Sequence, residues 1–181
     1  MKYLIASDIH GSAHYAALLA QQFESEGASK MLLLGDILYH GPRNALPEGH
    51  DCQRVSDILN ALSDKIIAVR GNCDAEVDQL MLNFPMMADY AIVETGSLTM
   101  FLGHGHRWNP ANLPPLKSCN ALLYGHTHIP HLEREGEIIV LNPGSAALPR
   151  GGFPQSFAIF EDGVFTIKDF DGNIISKLDT N

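Results

Sequence analysis

Five times along the chain, a short apolar run stops and a polar residue of metal-ligand type follows. The segments are Lys2-Tyr-Leu-Ile-Ala-Ser-Asp8-Ile-His10, Met31-Leu-Leu-Leu-Gly-Asp36, Ile66-Ile-Ala-Val-Arg-Gly-Asn72, Thr99-Met-Phe-Leu-Gly-His104 and Ala121-Leu-Leu-Tyr-Gly-His126-Thr-His128. Short branched apolar runs without polar alternation read as strands buried on both faces. Between the first two runs, Ala16, Leu19, Ala20 and Phe23 recur at helical spacing. They predict a helix over 13–26, closed by Gly27. A polar loop rich in Pro and Gly runs from Leu38 to His50. A second helix is expected over 55–62 and a short one near 75–82.

From residue 88 onward the pattern turns to strands. Tyr90–Glu94 and Ser97–Leu102 read as a hairpin around Thr95-Gly96. Further strands are expected near 121–124, 130–134, 137–141, 156–161 and 164–169, with turns at Glu135-Gly136 and Asp162-Gly163. A chain that opens as βαβα and ends strand-rich predicts an α/β fold: two packed mixed β-sheets flanked by helices.

Chemistry in open α/β sheets gathers at the carboxyl ends of strands. Asp8, His10, Asp36, Asn72, His104, His126 and His128 therefore converge on one place. Asp8 and His10 lie two apart, as do His126 and His128, so on extended backbone each pair shares a face. Glycines precede Asp36, Asn72, His104 and His126, where a strand-end turn or a close approach needs a missing side chain. Seven oxygen and imidazole donors are enough for two divalent ions, and Asp36 can bridge them. Mn²⁺ suits the mixed donor set best, with Fe, Zn, Ni or Co as alternatives.

Bulk properties fit a single domain over 1–181 with an adequate core. No apolar stretch reaches the ~18 residues that a membrane helix requires, and Met1 leads directly into a strand without a signal-peptide pattern. Three cysteines without framework spacing fit a reducing, cytoplasmic setting. A net charge of −9 argues against a nucleic-acid surface, while bound metals would still attract a small phosphate.

The ordered series Asp8-x-His10, Gly35-Asp36, Gly71-Asn72, Gly103-His104 and Gly125-His126-x-His128 resembles the calcineurin-like metallophosphoesterase superfamily. The compact length, the segment Asn142-Pro-Gly-Ser145 and the loop Leu38-Tyr-His-Gly-Pro-Arg-Asn44 are similar to its small bacterial phosphodiesterases. The resemblance implies a four-layer αββα sandwich. It implies one metal on Asp8, His10, Asp36 and His128, and a second on Asp36, Asn72, His104 and His126. It further implies hydrolysis of a small phosphodiester by a metal-bridging hydroxide, and a homo-oligomer, either dimer or tetramer. Asn72, Cys73 and His104 fall at positions that act on the substrate in the family. There Cys73 replaces the usual histidine, which steadies the transition state and protonates the leaving group. A thiol is a weaker donor without positive charge, so low-pKa leaving groups are expected to suffer least.

His40, Arg43, His106 and Arg107 are candidate phosphate contacts, with His50 and Arg150 beside them. Cys52 and Cys119 read as small buried thiols. Met81, Phe84, Met86 and Met87 read as core, and Glu133, Glu135 and Glu137 as a solvated edge. Asn142-Pro-Gly-Ser145 has turn composition. Two other functions compete: a phosphomonoesterase, and a non-catalytic scaffold of the same fold, as in a retromer subunit. The complete ligand set weighs against the scaffold.

Overall fold

The computed structural model describes residues 1–96, 98–115 and 118–180. Ser97, expected to open the second arm of the hairpin, lies outside them. In chain order the elements are β1 (Tyr3–Ala6), α1 (Ala13–Ser25), β2 (Lys30–Leu33), α2 (Cys52–Asn60), a 3₁₀ turn (Ser63–Lys65), β3 (Ile66–Ala68) and α3 (Glu76–Met81). There follow β4 (Tyr90–Glu94), β5 (Thr99–Gly103), β6 (Ala121–Leu123), β7 (His131–Glu135), β8 (Ile138–Asn142), β9 (Ser156–Glu161), β10 (Val164–Asp169) and β11 (Ile174–Asp179).

Two mixed sheets result, ordered β11-β10-β9-β1-β2-β3 and β4-β5-β6-β8-β7. β1, β2 and β3 run parallel, with Leu4 opposite Met31 and Met31 opposite Ile66. β5, β6 and β8 form the parallel part of the second sheet. The unalternating apolar runs follow from burial on both sides. In β1, Tyr3 and Ile5 face the core between the sheets, while Leu4 and Ala6 face the helices. Each fully buried Leu or Ile contributes about 1.5–3 kcal/mol. The first core also takes in Phe84 and Met86, with Met81 and Met87 packed against it, as their apolar pattern predicted.

Helices α1, α2 and α3 belong to the first sheet's outer face, which they meet through Ala16, Leu19 and Phe23 of α1, Val55 and Leu59 of α2 and Met81 of α3. The second sheet's outer face is covered differently among the described residues. Phe101, Leu122, Tyr124 and Val140 pack there with Trp108 and Cys119, which come from the loop after β5. Among the described residues, loop side chains form the fourth layer of the sandwich. α2 starts three residues earlier than its apolar spacing indicates, because the Asp51 side chain caps it by accepting the Arg54 N–H at 3.0 Å. Strand β11 was not anticipated. Glu133, Glu135 and Glu137 are exposed at the β7 edge of the second sheet.

Candidate metal centre

The expected ligands gather where the parallel strands of both sheets end, but the backbone that presents them is not extended. Asp8, His10, Asp36, His126 and His128 have φ of 57°, 51°, 53°, 69° and 61°. Asp162 is the other non-glycine residue at positive φ among those described. Asp8 and His10 therefore do not share a face of extended backbone as their spacing predicts, and neither do His126 and His128. Both pairs converge because every member sits in the left-handed region. That conformation costs a non-glycine residue of order 1–3 kcal/mol and persists where the surroundings over-determine it. Bonds beyond the strand ends do so here. The N–H groups of Asp8, His10 and Gly11 donate to the carbonyls of Gly35, Asp36 and Ile37 at 3.1, 2.9 and 2.9 Å.

The glycines serve mostly as points of close approach. A Cβ on Gly71 would lie 2.0 Å from Asp36 Oδ1 and 2.3 Å from Asp36 N. One on Gly125 would lie 1.9 Å from Ser7 Oγ and 2.8 Å from Asp8 Oδ2. Gly71→Ala must therefore push the Asp36 carboxylate out of place. We expect a loss of about 1–3 kcal/mol, or about 2–12 °C in Tm, together with weakened metal binding. Calorimetry and metal titration of the variant check both.

Three imidazoles are fixed by bonds on their inner nitrogens. Nδ1 of His10, His104 and His128 lies 2.9, 2.7 and 2.6 Å from the carbonyls of Tyr39, Leu34 and Leu148. A carbonyl only accepts, so each Nδ1 carries hydrogen, and in the neutral ring Nε2 is left as a lone pair. Nε2 of His10 and Nε2 of His128 then stand 3.2 Å apart. Asp8 Oδ1 lies 3.2 Å from His128 Nε2 and 3.6 Å from His10 Nε2, and is buried without a hydrogen-bond donor. Lone pairs and an anionic oxygen facing one another at this range require positive charge between them. Asp8, His10 and His128 thus fit a cation, and so do Asp8, Asp36 and His104, whose donor atoms also group closely.

Asp36 connects the two groups. Its Oδ2 lies 3.3 Å from His104 Nε2 and 3.8 Å from His10 Nε2. Asn72 Oδ1 lies 3.0 Å from His104 Nε2. His126 stands at the edge: its ring is 5.2 Å from that of His104, and it falls outside the close donor groups. Cys73 Sγ falls within reach of His10 and Asp36 donors.

Burial opposes charge on Asp8, yet the facing imidazoles of His10, His128 and His104 hold its carboxyl well below the usual carboxylate range. The same opposition shapes His104: burial would lower it, but Asp36 and Asp8 push it up to about 9. His126 and His106 move down, through burial and the neighbouring His104 charge, which keeps their rings neutral. A divalent ion bound beside His104 must displace its proton. Loading metal at pH 7.5 is therefore expected to release about one proton per chain from this residue. The release should fade as pH rises through 9, where His104 is already neutral. A dye-monitored titration in weak buffer measures it.

Two supports had no assigned role in the sequence. Asp74 is buried, and its carboxylate accepts the N–H groups of Gly71, Asp36 and Ile37 at 2.7, 2.8 and 2.9 Å. It clamps the Asp36 turn to the Asn72 turn. Its position directly after Gly71-Asn72-Cys73 was the available signal. Asn142-Pro-Gly-Ser145 is more than a turn. Asn142 Nδ2 donates to the Gly125 carbonyl at 2.7 Å, and Ser145 Oγ donates to the Asp8 carbonyl at 2.8 Å.

A cavity of about 680 Å³ opens over the centre, lined among others by Tyr39, Arg43, Cys73, His126 and Arg150. Of the proposed phosphate contacts, Arg43 and Arg150 reach it. His106 is exposed beside His104, with ring centroids 5.5 Å apart. His40 does not line the cavity and packs against His50 at 5.4 Å. Arg107 is paired with Asp89.

The model of the calcineurin-like phosphoesterase superfamily domain matches residues 1–162. The chain belongs to that superfamily. It is 45% identical over 182 residues to phosphodiesterase YfcE of Escherichia coli strain K12, covering 100% of this chain and 99% of that one. The solved structure of the Escherichia coli phosphoesterase Yfce superposes with a TM-score of 0.97 over 100% of both chains. Phosphodiesterase MJ0936 of Methanocaldococcus jannaschii is 31% identical over 85% of this chain and 89% of its own. Vacuolar protein sorting 29 of Cryptosporidium parvum, at 18% identity, shares the fold, with a TM-score of 0.69 over 98% of this chain and 97% of its own. Membership of a metallophosphoesterase superfamily implies divalent metal ions, and the residues described above fit them. No helix among the described residues is long and apolar enough to cross a membrane.

Proposed function

We propose that this protein is a cytoplasmic, metal-dependent phosphodiesterase with a dinuclear centre. The observation that carries the reading is the pair of imidazole Nε2 atoms 3.2 Å apart beside the undonated Asp8 oxygen. The relatives named phosphodiesterase support the substrate class. Asp8, His10, Asp36 and His128 would hold one ion, and Asp36, Asn72, His104 and His126 the other, with Mn²⁺ suited to the mixed donors. When bound, the ions supply an activated water and neutralise charge on the phosphoryl oxygens.

The chain's own groups do the rest. Asp74 and Ser145 hold the ligand turns in register. Asn72 Nδ2 reaches the mouth of the centre, where it contacts Cys73 Sγ at 3.2 Å. Burial pushes the Cys73 thiol up to about 12, and the Asp36 charge adds to this, so it stays a neutral, weak donor. Tyr39 is 43% exposed at the cavity wall and offers an aromatic face to one ester arm. A neutral thiol at this position favours diesters with low-pKa leaving groups over monoesters. Protein stripped of metal and reloaded with Mn²⁺ should turn over bis(p-nitrophenyl) phosphate faster than p-nitrophenyl phosphate. Preference for the monoester would replace this reading with a phosphatase.

A further inference from the structure

The basic residues of this acidic chain are unevenly used. Twelve Lys and Arg face twenty-one Asp and Glu. Arg70 and Arg107, for example, pair with Glu76 and Asp89. Arg43 and Arg150 have no carboxylate partner among the described residues, yet both line the cavity over the metal centre. We infer that Arg43 and Arg150 form a second anion subsite beside that centre, and that the preferred substrate is a pyrophosphate diester, whose leaving group is itself a phosphate. The inference rests on the phosphodiesterase reading and names its substrate class.

Arg150 is held in place. Its Nη2 donates to Asn44 Oδ1 at 3.0 Å, and Asn44 Nδ2 donates to the His40 carbonyl at 2.8 Å. Its backbone N–H donates to the carbonyl of the ligand residue His128 at 3.0 Å. The remaining guanidinium N–H groups stay free for a second anion, as do all those of Arg43. Guanidinium is the side chain suited to bidentate phosphate contacts. The phosphate of a simple diester carries one negative charge, and two divalent ions already serve it. Two further cations in the same cavity match a ligand with a second phosphate. The cavity, at about 680 Å³, lies in the ~300–1,000 Å³ range of sites that enclose whole small molecules.

The chemistry agrees with the thiol at Cys73. Water adds its oxygen to the scissile phosphorus and gives one proton to solvent. The bond from that phosphorus to the bridging oxygen breaks, and its electron pair leaves on the second phosphate. The products are two phosphate monoesters, with nothing oxidised or reduced. A phosphate departs without needing a proton, so a weak donor suffices. Two guanidiniums stabilise the charge it takes away.

The test compares ADP-ribose with bis(p-nitrophenyl) phosphate in the Mn²⁺-loaded protein. It also compares binding of a methylene-bridged ADP analogue with that of AMP by calorimetry. The ratio of kcat/KM, ADP-ribose over the aryl diester, should fall at least tenfold in Arg150→Gln and further in Arg43→Gln/Arg150→Gln. The bridged analogue should bind wild type at least tenfold tighter than AMP does, and this advantage should shrink in the same variants. Asn44→Ala, which frees Arg150 without removing its charge, should give an intermediate loss in both ratios. Equal binding of the analogue and AMP, or ratios unchanged in the double variant, would overturn the subsite. Selective binding with no hydrolysis of either substrate would leave the subsite standing and refute the phosphodiesterase reading instead.

Discussion

Asp36→Asn is expected to lower kcat/KM for a diester by about a thousandfold or more, which is about 4 kcal/mol of transition-state stabilisation. Asp36 is the carboxylate that faces both donor groups, at 3.3 Å from His104 Nε2 and 3.8 Å from His10 Nε2. Asparagine keeps the shape and retains an oxygen for the Cys73 N–H, which Asp36 Oδ1 accepts at 2.8 Å. It removes the charge and turns one donor oxygen into an amide NH₂, which cannot ligate. The fold should survive, because the clamp from Asp74 to the backbone N–H of Asp36 is untouched. Kinetics, metal content and Tm measured on one preparation separate a lost ligand from a lost fold. Near-normal activity in a variant that still holds metal would remove Asp36 from the bridging role.

The second large effect runs the other way. Cys73→His should raise the rate for diesters with poor, alkoxide-type leaving groups by about 10²–10⁴-fold, the usual worth of a general acid. Aryl diesters should gain little. The side chain at 73 lines the cavity beside Asn72 and below Gly41, whose missing Cβ would lie 2.9 Å from Cys73 Sγ. A neutral thiol there gives no proton to a departing oxygen at neutral pH, whereas an imidazolium does. The measurement is log kcat/KM against leaving-group pKa for both proteins. Wild type should show the steeper dependence, and parallel lines would mean that residue 73 does not serve the leaving group.

Much of this arrangement was legible in the order of residues. Burial on both faces left the central strands as unbroken apolar runs, so their ends, and the ligands after them, were marked. Strand β11 was not marked. It pairs with β10 at the sheet's open edge across a bulge near Ile167, and its Ile-Ile-Ser-Lys stretch lacks alternation. The left-handed backbone at Asp8, His10, Asp36, His126 and His128 was invisible for a different reason. Local preference opposes that conformation in non-glycine residues. It is imposed by contacts between segments distant in sequence, such as the Ser145 hydroxyl on the Asp8 carbonyl and the His126 N–H on Asp8 Oδ2 at 3.0 Å. The supporting roles of Asp74 and Asn142 escaped notice likewise, because a residue that orients a ligand through backbone groups has no signature spacing of its own. Arg107 and Arg43 looked equivalent until Asp89 proved to engage the first.

The most direct test of the dinuclear centre is a titration of metal-stripped protein with Mn²⁺, followed by electron paramagnetic resonance and by diester turnover in the same samples. Two ions should bind per chain, with the spectrum of an exchange-coupled pair and turnover rising with the second equivalent. Saturation at one uncoupled ion per chain, or full activity after the first equivalent, would contradict the account.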